Sequence, residues 1–314
     1  MSGPADRPPA SAASWTRQAE RSSTAIMRFM VWLSLSLGRR ASRLVLFGIA
    51  AYFLLFAPAA ARASRDYLQR VLGRRPSLAE RYRHVLAFAT TIHDRIYFLN
   101  ERFELFNIEI EGAELVDAAL ADGHGVLLFG AHLGSFEALR ALGWLHTRHP
   151  VCMLMHEENA RKINAVLAAI NPRAVHDMLA IGRLDSMLQL RDRIEAGQMI
   201  GVLADRSPGL EASAAHPFLG GSAHFPLGPF RLAAMLRRPV LFMSGLYLGG
   251  RRYRLRFSQL ADFRAVDARS RATAMADAQQ AYVRLLEAHC REAPYNWFNF
   301  FDFWRHPDAD TPPR

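Results

Sequence analysis

His132 and Glu137 stand five residues apart in "FGAHLGSFEALR", residues 129–140, among glycines, a serine and apolar side chains. An imidazole can take a proton from a hydroxyl at one ring nitrogen while a carboxylate fixes the tautomer from the other. The pair therefore has the parts of a general base and its orienting acid. A spacing of five places two side chains on different faces if both residues are helical. The pairing becomes possible if His132 lies in a loop before a helix and its ring folds back toward Glu137. The alternative is a plain strand-to-helix turn with a capping or surface acid.

The flanking elements decide whether that loop exists. "GVLLF" reads as a buried strand, Gly130 to Gly134 as a turn that lets backbones approach closely, and "SFEALRALGWLH" as the following helix, with Ser135 as its cap. The amino terminus of that helix would favour the neutral imidazole that a general base needs. Strand, glycine turn, histidine and acid-bearing helix thus follow one another in the order the mechanism requires.

Beyond residue 108 short apolar runs alternate with helical periods. "VCMLM", "QMIGVLAD", "PVLFMSGLYLG" and "RYRLRF" read as strands, and "ENARKINAVLAAI", "RLDSMLQLRDRIEAG" and "GPFRLAAMLRR" as helices. The expected fold class is α/β, a single domain with a mixed sheet covered by helices, in which sites form at the carboxyl ends of strands. His132 stands at such an end.

The first hundred residues have a different character. A polar tail, 1–23, precedes an apolar stretch, 24–61, whose two runs are separated by Arg39, Arg40 and Arg43. Crossing a hydrocarbon core takes about 20 apolar residues, and the second run reaches that only when extended to Ala61. A membrane-anchoring helical segment is expected there, either spanning or lying in the interface. It begins too late, and is followed by too much arginine, to suit a cleaved signal peptide. Residues 62–107 continue as basic amphipathic helices divided at Gly73 and Pro76, with "SLAE" a capping box that opens the second. His84 and His93 read as partly buried structural histidines. A catalytic domain over 108–305 and a polar tail, 306–314, complete the division.

Composition narrows the partners. With 51% hydrophobic and 22% charged residues the chain can bury a sizeable core. The net charge of +10 comes from arginine, since lysine is nearly absent, and it implies an anionic partner. No zinc finger, RNP-like strand or lysine stripe points to nucleic acid, so an anionic membrane surface is the better match. Cys152 and Cys290 have no metal spacing and read as buried thiols, so no metal site is expected.

The "HLGSFE" block resembles the HxxxxD/E motif of the lysophospholipid acyltransferase superfamily. With the basic anchor, "GVLADRSPG" and "FLGGSAHFPLGPFRLAAMLRRPVLFM", the chain from about 25 to 305 is similar to the lipid A late acyltransferase branch. The resemblance implies an O-acyltransferase at the bacterial inner membrane, its catalytic domain facing the cytoplasm. It would need no cofactor, only an acyl thioester on acyl carrier protein as donor, and a lipid A-like lipid or glycolipid hydroxyl as acceptor. His132 would be the general base and Glu137 its orienting acid. Arg206 and Arg231 would hold phosphate oxygens, Asp205 would orient Arg206 or cap a turn, and Gly134 and Ser135 would border the substrate. "PYNWFNFFDFW", residues 294–304, departs from the branch and is more like relatives tied to aryl polyenes and other glycolipids; it reads as a core edge or as an aromatic surface at the membrane interface. A noncatalytic lipid-binding protein and a thioester or ester hydrolase are the competing readings. No GxSxG elbow surrounds Ser135, so direct attack by the hydroxyl, without an acyl-enzyme, is expected.

Overall fold

Four consecutive buried residues, Leu127–Gly130, form the short strand β2 at the centre of the sheet. A computed structural model of the chain describes residues 24–139, 151–156, 170–171, 178–181, 184–206 and 212–304. Side chains alternate across β2: Leu127 and Phe129 join one hydrophobic cluster and Leu128 the other, so the strand is covered on both faces. β3 (Val151–His156), β4 (Met178–Ile181), β5 (Met199–Leu203) and β8 (Pro239–Gly249) run parallel with it, while β9 (Arg252–Asp262) and β1 (Asn107–Glu111) run the opposite way. Among the described residues the sheet has seven strands in the order β1-β9-β8-β2-β5-β3-β4. The expected mixed α/β sheet is therefore present, and β2 lies between β8 and β5.

Helices α1 (Thr24–Phe56), α2 (Pro58–Leu72), α3 (Leu78–Leu99), α4 (Ala113–Leu120), α5 (Leu184–Glu195), α6 (Gly228–Leu236) and α7 (Arg271–Glu292) surround it. The division at Gly73 holds, because this glycine ends α2 in the left-handed conformation. Ser77 and Glu80 form the expected reciprocal capping box of α3. A hairpin of β6 (Ser213–Phe218) and β7 (Gly221–Pro226) makes a separate two-stranded sheet. Cys152 and Cys290 are buried thiols that form no disulfide with each other. The polar tails 1–23 and 306–314, and all but the last position of the helix expected over 158–170, lie outside the described residues.

No single described helix is long and apolar enough to cross a membrane; Val31–Phe56 and Pro58–Leu72 meet that test only as a pair, bent by 95°. α1 is itself kinked at Gly38, whose φ of 74° interrupts the helical backbone. One face of α1, with Val31, Ser34, Arg39, Ser42, Leu46 and Ala50, is buried against the body of the protein. The opposite side exposes Trp32, Leu44, Phe47, Tyr52, Leu55 and Phe56.

A buried ion pair fixes that packing. Arg39 donates from Nε and Nη2 to the two oxygens of Asp94 in α3, each at 2.7 Å, and from Nη2 to the carbonyl of Gly250. Tyr253 of β9 donates its hydroxyl to the same carboxylate at 2.8 Å. His93 meets the Ser42 hydroxyl at 2.8 Å, and His84 lies between the Ser64 hydroxyl and the Trp297 carbonyl, each at 2.9 Å. Both histidines are buried within structural networks, as their aliphatic sequence neighbours imply.

Candidate functional site

β2 and β5 are hydrogen-bonded neighbours running in parallel, so the loops leaving their carboxyl ends start side by side. His132 follows β2 and Asp205 follows β5. The Nδ1 atom of His132 lies 2.8 Å from Oδ1 of Asp205, and the backbone N–H of His132 donates to Oδ2 at 3.1 Å. For Nδ1 to donate to a carboxylate it must carry the proton, which leaves a lone pair on Nε2. The imidazole side chain is 33% exposed, so a substrate can reach it, whereas Asp205 is fully buried.

Asp205 is well supplied with donors. Besides the two from His132, Trp297 Nε1 and Asn299 Nδ2 each donate to Oδ2 at 3.1 Å. Burial pushes its carboxyl up, but the facing His132, with its two hydrogen bonds, and nearby Arg206 outweigh burial and hold it well below the usual carboxylate range. His132 itself is lowered from 6.5, mainly because it is desolvated and then because of Arg206, with Asp205 opposing. Both shifts favour a carboxylate beside a neutral imidazole, the pair a general base requires.

The expected bond between His132 and Glu137 is corrected by this geometry. Glu137 lies in a short 3-10 turn, Glu137–Leu139, and its Oε1 sits 2.6 Å from Nε of Arg95 in α3, while the Ser135 hydroxyl donates to Oε2 at 3.3 Å. The ring is taken by Asp205 because the neighbouring strand delivers a carboxylate directly to Nδ1. Asp205 accordingly orients His132, not Arg206. Ser135 does act as a cap, its hydroxyl accepting the N–H of Ala138 at 3.3 Å. The rest of the helix expected here, 140–146, lies outside the described residues.

Gly134 earns its place by proximity. It adopts φ of 70°, and a Cβ built on it would lie 2.0 Å from the carbonyl oxygen of Gly245 in β8. The approach lets Ser135 donate its N–H to that same oxygen at 2.8 Å, tying the histidine loop to the sheet. Gly134→Ala should cost about 2 kcal/mol or more, from the left-handed backbone alone, with the clash added. Thermal unfolding and turnover check this together, and wild-type values for both would show that the loop tolerates a wider gap.

Arg206 commits its donors to the C-terminal segment. It gives Nε to Asn299 Oδ1 and Nη2 to the Phe298 carbonyl at 2.7 Å, and its guanidinium stacks on Phe301 with 5.2 Å to the ring centroid. Burial lowers it to about 10, so it remains a cation at neutral pH. Arg231 is exposed in the first turn of α6, and no side-chain contact joins it to the His132 group among the described residues.

Sequence reasoning missed Trp297, Asn299 and Arg95. The segment 294–304 is neither a passive core edge nor a purely external aromatic surface. Trp297 is fully buried against Tyr67, Phe218 and Phe303, while its backbone runs beside the histidine loop. Phe298 donates its N–H to the His132 carbonyl at 2.7 Å, and Gly134 donates to the Asn296 carbonyl at 2.8 Å. The one sequence signal was the density of rings and amides in "NWFNFF".

None of the curated proteins compared with this chain matches it. The model of one family, described as bacterial lipid A biosynthesis acyltransferase, matches residues 14–306 and so takes in both the helical N-terminal region and every residue of the His132 site. The chain belongs to the bacterial lipid A biosynthesis acyltransferases, and it is an enzyme that transfers acyl groups.

Proposed function

We propose that this acyltransferase moves a fatty acyl group from an acyl carrier protein thioester to a hydroxyl of a lipid A-like lipid or glycolipid, with His132 as general base and Asp205 as its orienting acid. The observation that carries this reading is the 2.8 Å contact between His132 Nδ1 and buried Asp205, which leaves Nε2 to receive a proton. The acceptor hydroxyl adds to the thioester carbonyl carbon as its proton passes to Nε2. The tetrahedral intermediate then expels the thiolate, which recovers that proton, so the histidine ends as it began. No acyl-enzyme is formed, and no metal or cofactor takes part. A chain with net charge +10 suits a strongly acidic carrier protein.

We also place the protein on the cytoplasmic face of the bacterial inner membrane, attached through α1. A helix that packs one face on the protein and exposes Trp32, Leu44, Leu55 and Phe56 on the other supports attachment in the plane of the interface. Exposed Arg40 lies between the apolar ends of that face and can meet lipid phosphates.

The test is transfer of radiolabelled acyl groups from acyl carrier protein into a membrane lipid extract by the purified protein, with His132→Ala alongside. Labelled lipid is expected with the wild type and at least 100-fold less with the variant. Undiminished transfer by His132→Ala would sink the mechanism, and release of free fatty acid without labelled lipid would make the protein a hydrolase. Mass spectrometry of the product identifies the acceptor.

A further inference from the structure

With Asp205 holding the imidazole, the acid in the histidine's own loop has a different partner, and that partner bears on the reaction. Arg95 is one residue from Asp94, which Arg39 and Tyr253 lock in place, so the backbone that carries Arg95 is fixed. Its Nε lies 2.6 Å from Oε1 of Glu137 as an ion pair, and the side chain is 24% exposed. Nε is buried and makes no hydrogen bond beyond that ion-pair contact, and among the described residues the terminal nitrogens make none either.

Among the described residues the backbone donors of the histidine loop are already used. The backbone N–H groups of His132, Leu133, Gly134 and Ser135 go to Asp205, Ala131, Asn296 and Gly245 in turn. Arg206 gives Nε and Nη2 to the C-terminal segment. Among the described residues Arg95 is the cation on the loop side of the site with donors still unspent.

We propose that Arg95, pinned by Glu137, is a positioning residue of the acyl-transfer site, a fixed positive charge that keeps His132 unprotonated and offsets the negative charge developing on the thioester oxygen. The inference rests on the acyl-transfer reading for its second half only. In this arrangement the acid of the "HLGSFE" motif acts on the histidine through Arg95. The charged groups facing His132 are then Asp205 from the end of β5, Arg206 beside it, and Arg95 from α3 with Glu137 partly balancing it. Trp297 and Asn299 from the C-terminal segment are neutral. Arg95 draws the imidazole in the same direction as desolvation and Arg206, against Asp205.

The test reads the imidazole directly. Full-length protein in detergent, labelled with 15N-histidine, is titrated by NMR, and the His132 signal is assigned among the 12 histidines by its loss in His132→Gln. Arg95→Gln is expected to raise the His132 pKa, to move the acid limb of the transfer rate to higher pH, and to lower kcat roughly 100-fold with KM little changed. Arg95→Lys keeps the charge, so it should return the pKa to the wild-type value while recovering only part of kcat. A folded Arg95→Gln protein with an unmoved His132 pKa would overturn the proposal, even if activity fell, because a purely structural role predicts that result. Since the titration needs no turnover, an inactive wild type would count against the acyl-carrier reading and leave the imidazole test intact.

Discussion

Asp205→Asn should lower kcat by roughly 10³- to 10⁴-fold while leaving KM nearly unchanged. An asparagine amide can present either its oxygen or its NH2 to Nδ1. Oδ2 of Asp205 now accepts from the His132 backbone, Trp297 and Asn299, so the neighbours already supply N–H groups on that side. They favour the amide oxygen at that position, which turns the NH2 group toward the ring. Nδ1 must then offer its lone pair, Nε2 keeps the proton, and the base is lost. The pH profile adds a second reading. Wild-type activity should fall on acidification only below pH 6.5, because the free imidazole is the active form and its pKa is lowered. Removing the carboxylate removes the influence that opposes that lowering, so the small residual activity should persist to still lower pH. Steady-state kinetics across pH on Asp205→Asn, Glu137→Gln and the wild type decide between the two acids. A larger kcat loss for Glu137→Gln than for Asp205→Asn would return the orienting role to Glu137.

Asp94→Ala is expected to destabilise the protein by about 3–5 kcal/mol, on the order of 10 °C in Tm. The reason is the partner left behind. Arg39 is 6% exposed at its side chain and Asp94 is not exposed at all, so truncating the acid strands a guanidinium in the interior and orphans the Tyr253 hydroxyl. A double replacement, Arg39→Met with Asp94→Leu, removes both charges and should recover most of the loss, since a buried pair contributes little net stability over apolar residues of similar size. Thermal unfolding in detergent measures both variants. If Asp94→Ala melted with the wild type, water would have to be reaching Arg39, and α1 would not be packed as described.

Some of this was legible in the residues because the physics is local. β8 has the same bounds as its apolar run, 239–249, because eight consecutive buried side chains leave a strand few alternatives. The capping box at Ser77 and the C-cap at Gly73 are likewise short-range chemistry. The acid that orients the histidine was not legible, because the choice depends on strand order. Only when β5 is known to lie beside β2 does Asp205, 73 residues further on, arrive at Nδ1, and a carboxylate five residues away in sequence loses to it. The same holds for Arg95, whose helical period marks a face but not the loop packed against it. Helix α7, polar over much of its length, and the β6–β7 hairpin, which among the described residues pairs only with itself, gave weaker periodic signals than the central strands. The bend between α1 and α2 was invisible for a related reason: hydropathy along a chain records how apolar a stretch is and says nothing of its direction.

The docking of residues 296–299 on the histidine loop sets an order of events during synthesis. Trp297 and Asn299 follow Asp205 by 92 and 94 residues, so the base and its acid leave the ribosome well before the donors that stabilise the acid. Until that segment arrives, the Asp205 carboxylate lacks two of its donors and the His132 carbonyl lacks the N–H of Phe298. The acyl-transfer site is therefore completed last by the chain's end, with the segment 296–299 fixing a histidine and a carboxylate that were made long before it.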